Sequence, residues 1–127
     1  MDDVLSRQMY QENILEHYKK PQNFGHLAKP THLYHSHNPL CGDDLTIEIA
    51  VVDGKVSDVR FSGVGCAISV ASASMLTDEI KGKSVEAVMQ MTKDDVLELL
   101  QIPIGPVRLK CALLSLETVQ KAVWGGE

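Results

Sequence analysis

"LTIEIAVVDGKVSDVRFSGVGC", residues 45–66, decides how this chain folds. Leu45, Ile47, Ile49 and Val51 alternate with Thr46, Glu48 and Ala50, the period-2 pattern of a half-buried strand. Asp53-Gly54 is a two-residue hairpin signal. "KVSDVRFSG" then returns with Val59 and Phe61 on one face, and the pattern switches from strand to helix at Cys66. The helix that follows is dominated by Ala67, Ser69, Ala71, Ser72, Ala73 and Ser74, which lets its backbone approach a neighbour closely.

Upstream of the hairpin, "VLSRQMYQENILEHYKK" (4–20) reads as an amphipathic helix with Tyr10, Ile14, His17 and Tyr18 on one face. Lys19 and Lys20 suit a helix C-terminus, and Pro21 stops it. Residues 21–40 carry three of the five prolines and four of the five histidines, and read as a loop with a short edge strand around 32–35. Downstream, "SVEAVMQMTKDDVLELLQ" (84–101) forms two short helices, the second capped near Thr92. After a proline-broken connector, a last helix runs from about Pro106 to Trp124, with Ala112, Leu116, Val119 and Val123 on one face. This order predicts an α+β fold, a small three-stranded antiparallel sheet with helices packed on one face.

The 127 residues are expected to form one domain spanning 1–127. With 44% hydrophobic residues the chain builds a core without needing disulfides or a metal in order to fold. Twelve basic against 17 acidic residues give a net charge of -5, with no basic run, so no nucleic-acid partner is expected. No apolar stretch is long enough for a membrane span, and "MDDVLSRQ" lacks the apolar region of a signal peptide. Three cysteines, an odd number, point to reduced thiols and a cytoplasmic location.

Those cysteines are buried filler or chemistry, and free cysteine is among the most buried residue types. Each, however, stands at a glycine- or proline-marked junction: Cys41 before a strand, Cys66 at a strand-to-helix turn, Cys111 early in the last helix. Thiols near helix N-termini feel the positive end of the helix dipole. Gly42, Gly63 and Gly65 permit tight backbone beside them. Asp43 reads either as an ordinary strand-start aspartate or as a ligand. An extended backbone would put it on the same side as Cys41, with Asp44 solvated. Cys41, Asp43, Cys66 and Cys111 would then make a tetrahedral set for zinc or an iron pair. His32, His35 and His37 read as solvated loop residues rather than ligands. Lys110 reads as a solvent-facing residue, or as a cation steadying the neighbouring thiolate.

"ILEHYKKPQNFG", "NPLCGD", "GVGCAISVASASMLTDEIKGKS" and "PVRLKC" together resemble the IscU/SufU/NifU N-terminal-domain family of iron–sulfur cluster scaffolds, in family order from about Tyr10 to Val123. The resemblance implies that Cys41, Cys66 and Cys111 bind cluster or zinc and that Asp43 is the family's functional aspartate. It implies Cys111 and Cys41 as sulfur acceptors, with Lys110, Gly42 and Gly65 in support. Implied cargo is iron and a transient [2Fe-2S] cluster, with zinc in the cluster-free form. Implied partners are a pyridoxal-phosphate cysteine desulfurase, apo iron–sulfur proteins or carriers, and an Hsp70-type chaperone. Pro106, Val107 and Arg108 stand where IscU proteins carry their chaperone-recognition segment, although Ile104-Gly105 replaces its Leu-Pro. Tyr10, Ile14 and Tyr18 are the candidate anchors for a partner on the first helix, with a core role for Ile14 as the alternative. Lys110 stands where IscU proteins have histidine and SufU proteins lysine, while the short connector after Met91 resembles IscU.

Two functions stay open at this point: a scaffold that builds and transfers a cluster, or a SufU-like zinc-dependent sulfurtransferase. A third, a zinc-stabilised interaction domain without turnover, has no specific feature in its favour. A site with three thiolates and one harder carboxylate suits a scaffold, because one position stays replaceable.

Overall fold

A computed structural model of the chain describes residues 4–38 and 42–125, and within them the side chains of 11–38, 42–106 and 108–124. Its elements are α1 (Val4–Lys19), β1 (His32–Asn38), β2 (Asp43–Val52), β3 (Lys55–Val64), α2 (Ala67–Ile80), α3 (Val85–Met89), α4 (Lys93–Leu100) and α5 (Pro106–Gly125). The strands form one antiparallel sheet in the order β1-β2-β3. α5 packs on β1 and β2, α2 packs on β3, and α1 packs on α2. The expected α+β arrangement is therefore present. No helix among the described residues is long and apolar enough to cross a membrane.

The hairpin forms where the alternation predicts it. Asp53 and Gly54 have φ of 54° and 76°, the doubly left-handed turn whose twist matches the flanking strands. Leu45, Ile47 and Ile49 are buried on the helix-facing side, and full burial of each such side chain contributes roughly 1.5–3 kcal/mol. Val51 departs from the expected pattern and is only half-buried. The register shifts there: Ala50 pairs with Asp58 but Val51 with Val56, so Ser57 is an extra residue in β3. This bulge changes parity and puts Val56 into the core with Val59 and Phe61.

The small residues of α2 do what their size allows. Ser72 Oγ donates to the Ala112 carbonyl at 2.6 Å and lies 2.9 Å from Ser115 Oγ, so α2 and α5 are joined through buried hydroxyls. Ser74 Oγ accepts from the Gln22 N–H at 2.8 Å and meets His17 Nδ1 at 2.6 Å, which ties down the end of α1.

Between α1 and β1 the chain belts the sheet. The Phe61 N–H donates to the Asn23 carbonyl and the Gly25 N–H to the Phe61 carbonyl, which covers the free edge of β3. The belt then crosses the outer face of β2, where Glu48 receives the Leu27 N–H at 2.9 Å and His26 Nδ1–H at 2.6 Å. Burial of Glu48 resists its ionisation, but the His26 and Leu27 hydrogen bonds and the His26 charge outweigh it, and the carboxyl sits below its ordinary value. A carboxyl lowered in the folded state stabilises fully above its unfolded pKa and loses that contribution as pH falls through the folded value. Thermal melts on the acid side should therefore show a drop that Glu48→Gln flattens. Parallel acid limbs for the two proteins would show that the belt is not anchored by this charge.

Candidate metal centre

The start of β2, the end of β3 and the first turns of α2 and α5 meet at one end of the molecule, and the chemistry gathers there. Asp43 opens β2 with 1% exposure. Its Oδ1 accepts the Cys66 N–H at 3.0 Å and lies 3.1 Å from the Ser69 hydroxyl, which is equally close to the Cys66 carbonyl oxygen. Cys66 itself is the N-cap of α2 (φ -75°, ψ 170°), and its side chain makes no capping bond. The carboxylate from a distant strand thus takes over a helix-terminal N–H that has no partner within the helix. The Cys66 thiol takes no part in the cap.

Gly65 makes this approach possible. A Cβ there would lie 2.2 Å from Ser69 Oγ and 2.8 Å from Asp43 Oδ1, inside contact distance of both. The functional residue that the sequence reading missed is Ser69. Its signal was its place three residues after a helix N-cap, where side chains reach back to the cap.

Asp43, Cys66 and Cys111 each offer one ligand atom, and the three atoms lie within 4.8 Å of one another. Cys111 is fully buried on α5 and Cys66 is half-buried. Asp43 Oδ2 is buried with no hydrogen-bond partner among the described residues. Leaving such an atom unsatisfied costs about 1–3 kcal/mol. A cation beside two sulfurs removes that cost, and two thiolates with one carboxylate suit zinc or iron. The donor set fits a metal.

Arg108 lies one turn before Cys111 on α5. Its guanidinium is held above its ordinary value by the charge of Cys66 and a hydrogen bond to it, with Cys111 adding a hydrogen bond and charge of its own. Arg108 is thus a cation at the thiols, and Lys110, exposed like Arg108, lines a hollow with His37, Asn38, Leu114 and Glu117.

Cys41, the fourth expected ligand, lies outside the described residues, as do the side chains of Tyr10 and Val107. Gly42 has φ of 72°, so the backbone turns before Asp43. The extended-chain argument for placing Cys41 and Asp43 on one side does not hold, because glycine supplies a left-handed turn there. Ile14 is 4% exposed and belongs to the core, whereas Tyr18 is 43% exposed and Pro106 is exposed at the start of α5. Tyr18 lines an open hollow with Phe24, Val64 and Gly65 beside the centre.

Comparison with known proteins shows the family. The profile of the NifU-like N terminal domain matches residues 9–125. An iron–sulfur cluster assembly scaffold protein, IscU 1 of Archaeoglobus fulgidus, is 32% identical over 91% of this chain and 74% of its own. The zinc-dependent sulfurtransferase SufU of Bacillus subtilis is 36% identical over 91% of this chain and 89% of its own. Among solved structures, a candidate SUF-system scaffold from Fervidobacterium islandicum superposes with a TM-score of 0.80 at 26% identity, covering 93% of this chain and 98% of that one. With the profile spanning nearly the whole sequence and relatives above 30% identity, the chain belongs to the NifU-like N-terminal-domain family that includes IscU and SufU.

Proposed function

We propose that this protein is an iron–sulfur cluster assembly scaffold. It accepts sulfane sulfur from a cysteine desulfurase, binds iron, builds a [2Fe-2S] cluster as cargo and passes it to apo-proteins in a reducing, cytoplasmic compartment. The observation that carries this reading is Asp43 Oδ2, buried with no hydrogen-bond partner among the described residues, beside the Cys66 and Cys111 sulfurs. The site offers donors to a metal and includes one ligand that is harder and more readily exchanged than the thiolates. Cys41 completes the proposed set, and Cys111 and Cys41 are the proposed acceptors. In the transfer step an acceptor thiolate attacks the outer sulfur of the donor's persulfide, and the donor's cysteine thiolate leaves. Converting that sulfur to sulfide takes electrons from iron(II) and from an external reductant protein. Arg108 offsets thiolate charge while the metal is absent or exchanging. Partner contact is proposed at the rim formed by Tyr18 and the Pro106 end of α5, with an Hsp70-type chaperone as a further partner there.

A second reading, zinc-dependent sulfur transfer, is favoured by the same guanidinium, which steadies whichever thiolate zinc releases. The experiment separating the two is anaerobic reconstitution with desulfurase, cysteine, iron(II) and reductant. A scaffold gains visible absorbance with acid-labile sulfide and hands both to an apo-ferredoxin, and Cys66→Ser removes this. A transferase stays colourless with one zinc per chain while accelerating the desulfurase, and that result would overturn the scaffold reading. Metal should also raise the melting temperature by ligand linkage without being required for the helices. Complete unfolding on chelation would make the site structural instead.

A further inference from the structure

We propose a second divalent-metal site on the outer face of the sheet, formed by His35, His37 and Asp44. In the β1–β2 register His37 stands opposite Asp44 and His35 opposite Thr46. Side chains two apart on a strand share a face, so both imidazoles project from the face that carries Asp44. Asp43, one residue earlier in β2, belongs to the buried side, so the two candidate centres lie back to back across the sheet. The carboxylate of Asp44 holds one ring and lies near the other: His35 Nε2 is 2.7 Å from Oδ1, a hydrogen bond, and His37 Nδ1 is 3.8 Å from Oδ2, so the rings must turn inward to share an ion. The three side chains are 52%, 55% and 44% exposed, so a hydrated ion reaches them and each rotates at little cost.

Two neutral imidazoles and one carboxylate on one side of an ion form the facial arrangement preferred by iron(II) and other first-row dications, with the remaining positions left to water. Nitrogen ligands disfavour magnesium and calcium, which take oxygen. His37 also borders a hollow with Lys110 and Glu117 of α5, whose opposite charges offset one another. The competing description is a pair of solvated His–Asp contacts of the kind that stabilise by only about 0–1 kcal/mol and bind nothing. The proposed site is independent of the thiolate centre, and the two are counted separately.

The test uses the untagged full chain loaded with one equivalent of zinc to fill the thiolate centre. Cobalt(II) is then titrated, with calorimetry and histidine-ring NMR as readouts. A second binding event is expected, broadening the His35 and His37 ring signals before those of His17 and His26. Asp44→Asn and the double variant His35→Gln/His37→Gln should each weaken that event by at least about tenfold while keeping the zinc. These residues are exposed, so the variants keep the fold. Absence of a second event, or one that survives both variants, overturns the proposal. Failure to retain the first zinc would strike the cluster reading and leave this one standing on its own titration.

Discussion

Asp43→Asn is expected to keep the fold and lose the metal. The two oxygens of Asp43 are in different settings: Oδ1 accepts from the start of α2, and Oδ2 is buried with no hydrogen-bond partner among the described residues. An asparagine carbonyl still receives the Cys66 N–H and Ser69 hydroxyl, at the cost of one charge-assisted bond, about 1 kcal/mol. Its amide nitrogen offers a metal no lone pair. Affinity for zinc should fall by at least roughly 10–100-fold, while the metal-free melting temperature changes little. Asp43→Ala should lose both functions, with a helix-cap penalty of about 0.5–2 kcal/mol added. Asp43→Cys has a different signature. It supplies a soft ligand, so a cluster should persist longer against chelator and reach an apo-ferredoxin more slowly, while the metal-free protein melts earlier for want of the cap. Ser62→Cys, on β3 opposite Thr46 and facing away from the centre, adds a thiol without altering either rate. Equal transfer rates for wild type and Asp43→Cys would falsify the lability argument.

The largest effect on stability is expected at Gly63. It pairs with Leu45 at the end of the hairpin, with φ of 127°. A Cβ there would stand 1.9 Å from the Asp44 carbonyl oxygen and 2.9 Å from its carbon, both backbone atoms that cannot rotate away. Gly63→Ala must therefore strain its own backbone and part β3 from β2, a loss of about 2–4 kcal/mol. For a domain of this size the melting temperature should drop by on the order of 10 °C. Because Gly65 and Cys66 follow on the same strand end, zinc affinity should fall as well. Gly54→Ala supplies the comparison: its φ of 76° is also left-handed, but its Cβ meets nothing within 4 Å. It should cost only the strain, about 1–2 kcal/mol, and leave the metal alone. Matching losses of stability and affinity in the two variants would show that the clash with Asp44 decides nothing.

What the sequence determined by itself is what neighbouring residues settle among themselves. Alternation and the Asp53-Gly54 turn specified the hairpin, and Thr92 marked the start of α4, where its N–H indeed donates to Asp95 Oδ2 at 2.8 Å. The cysteine junctions and the family resemblance brought Asp43, Cys66 and Cys111 forward as a group. The full length of β1 was not legible, because its polar, histidine-rich residues become a strand by hydrogen bonding to β2 rather than by any hydrophobic period. Nor was the bulge at Ser57, which trades one register for another to bury Val56. Only the tertiary structure decided that Asp43 caps a helix 23 residues away with one oxygen and leaves the other buried with no hydrogen-bond partner among the described residues. It also brought the Arg108 guanidinium within hydrogen-bonding reach of the Cys66 and Cys111 thiols. Both outcomes depend on where separate elements end against one another in three dimensions. Periodicity along a chain reports which face a side chain takes, and it carries no information about which distant partner that face will meet.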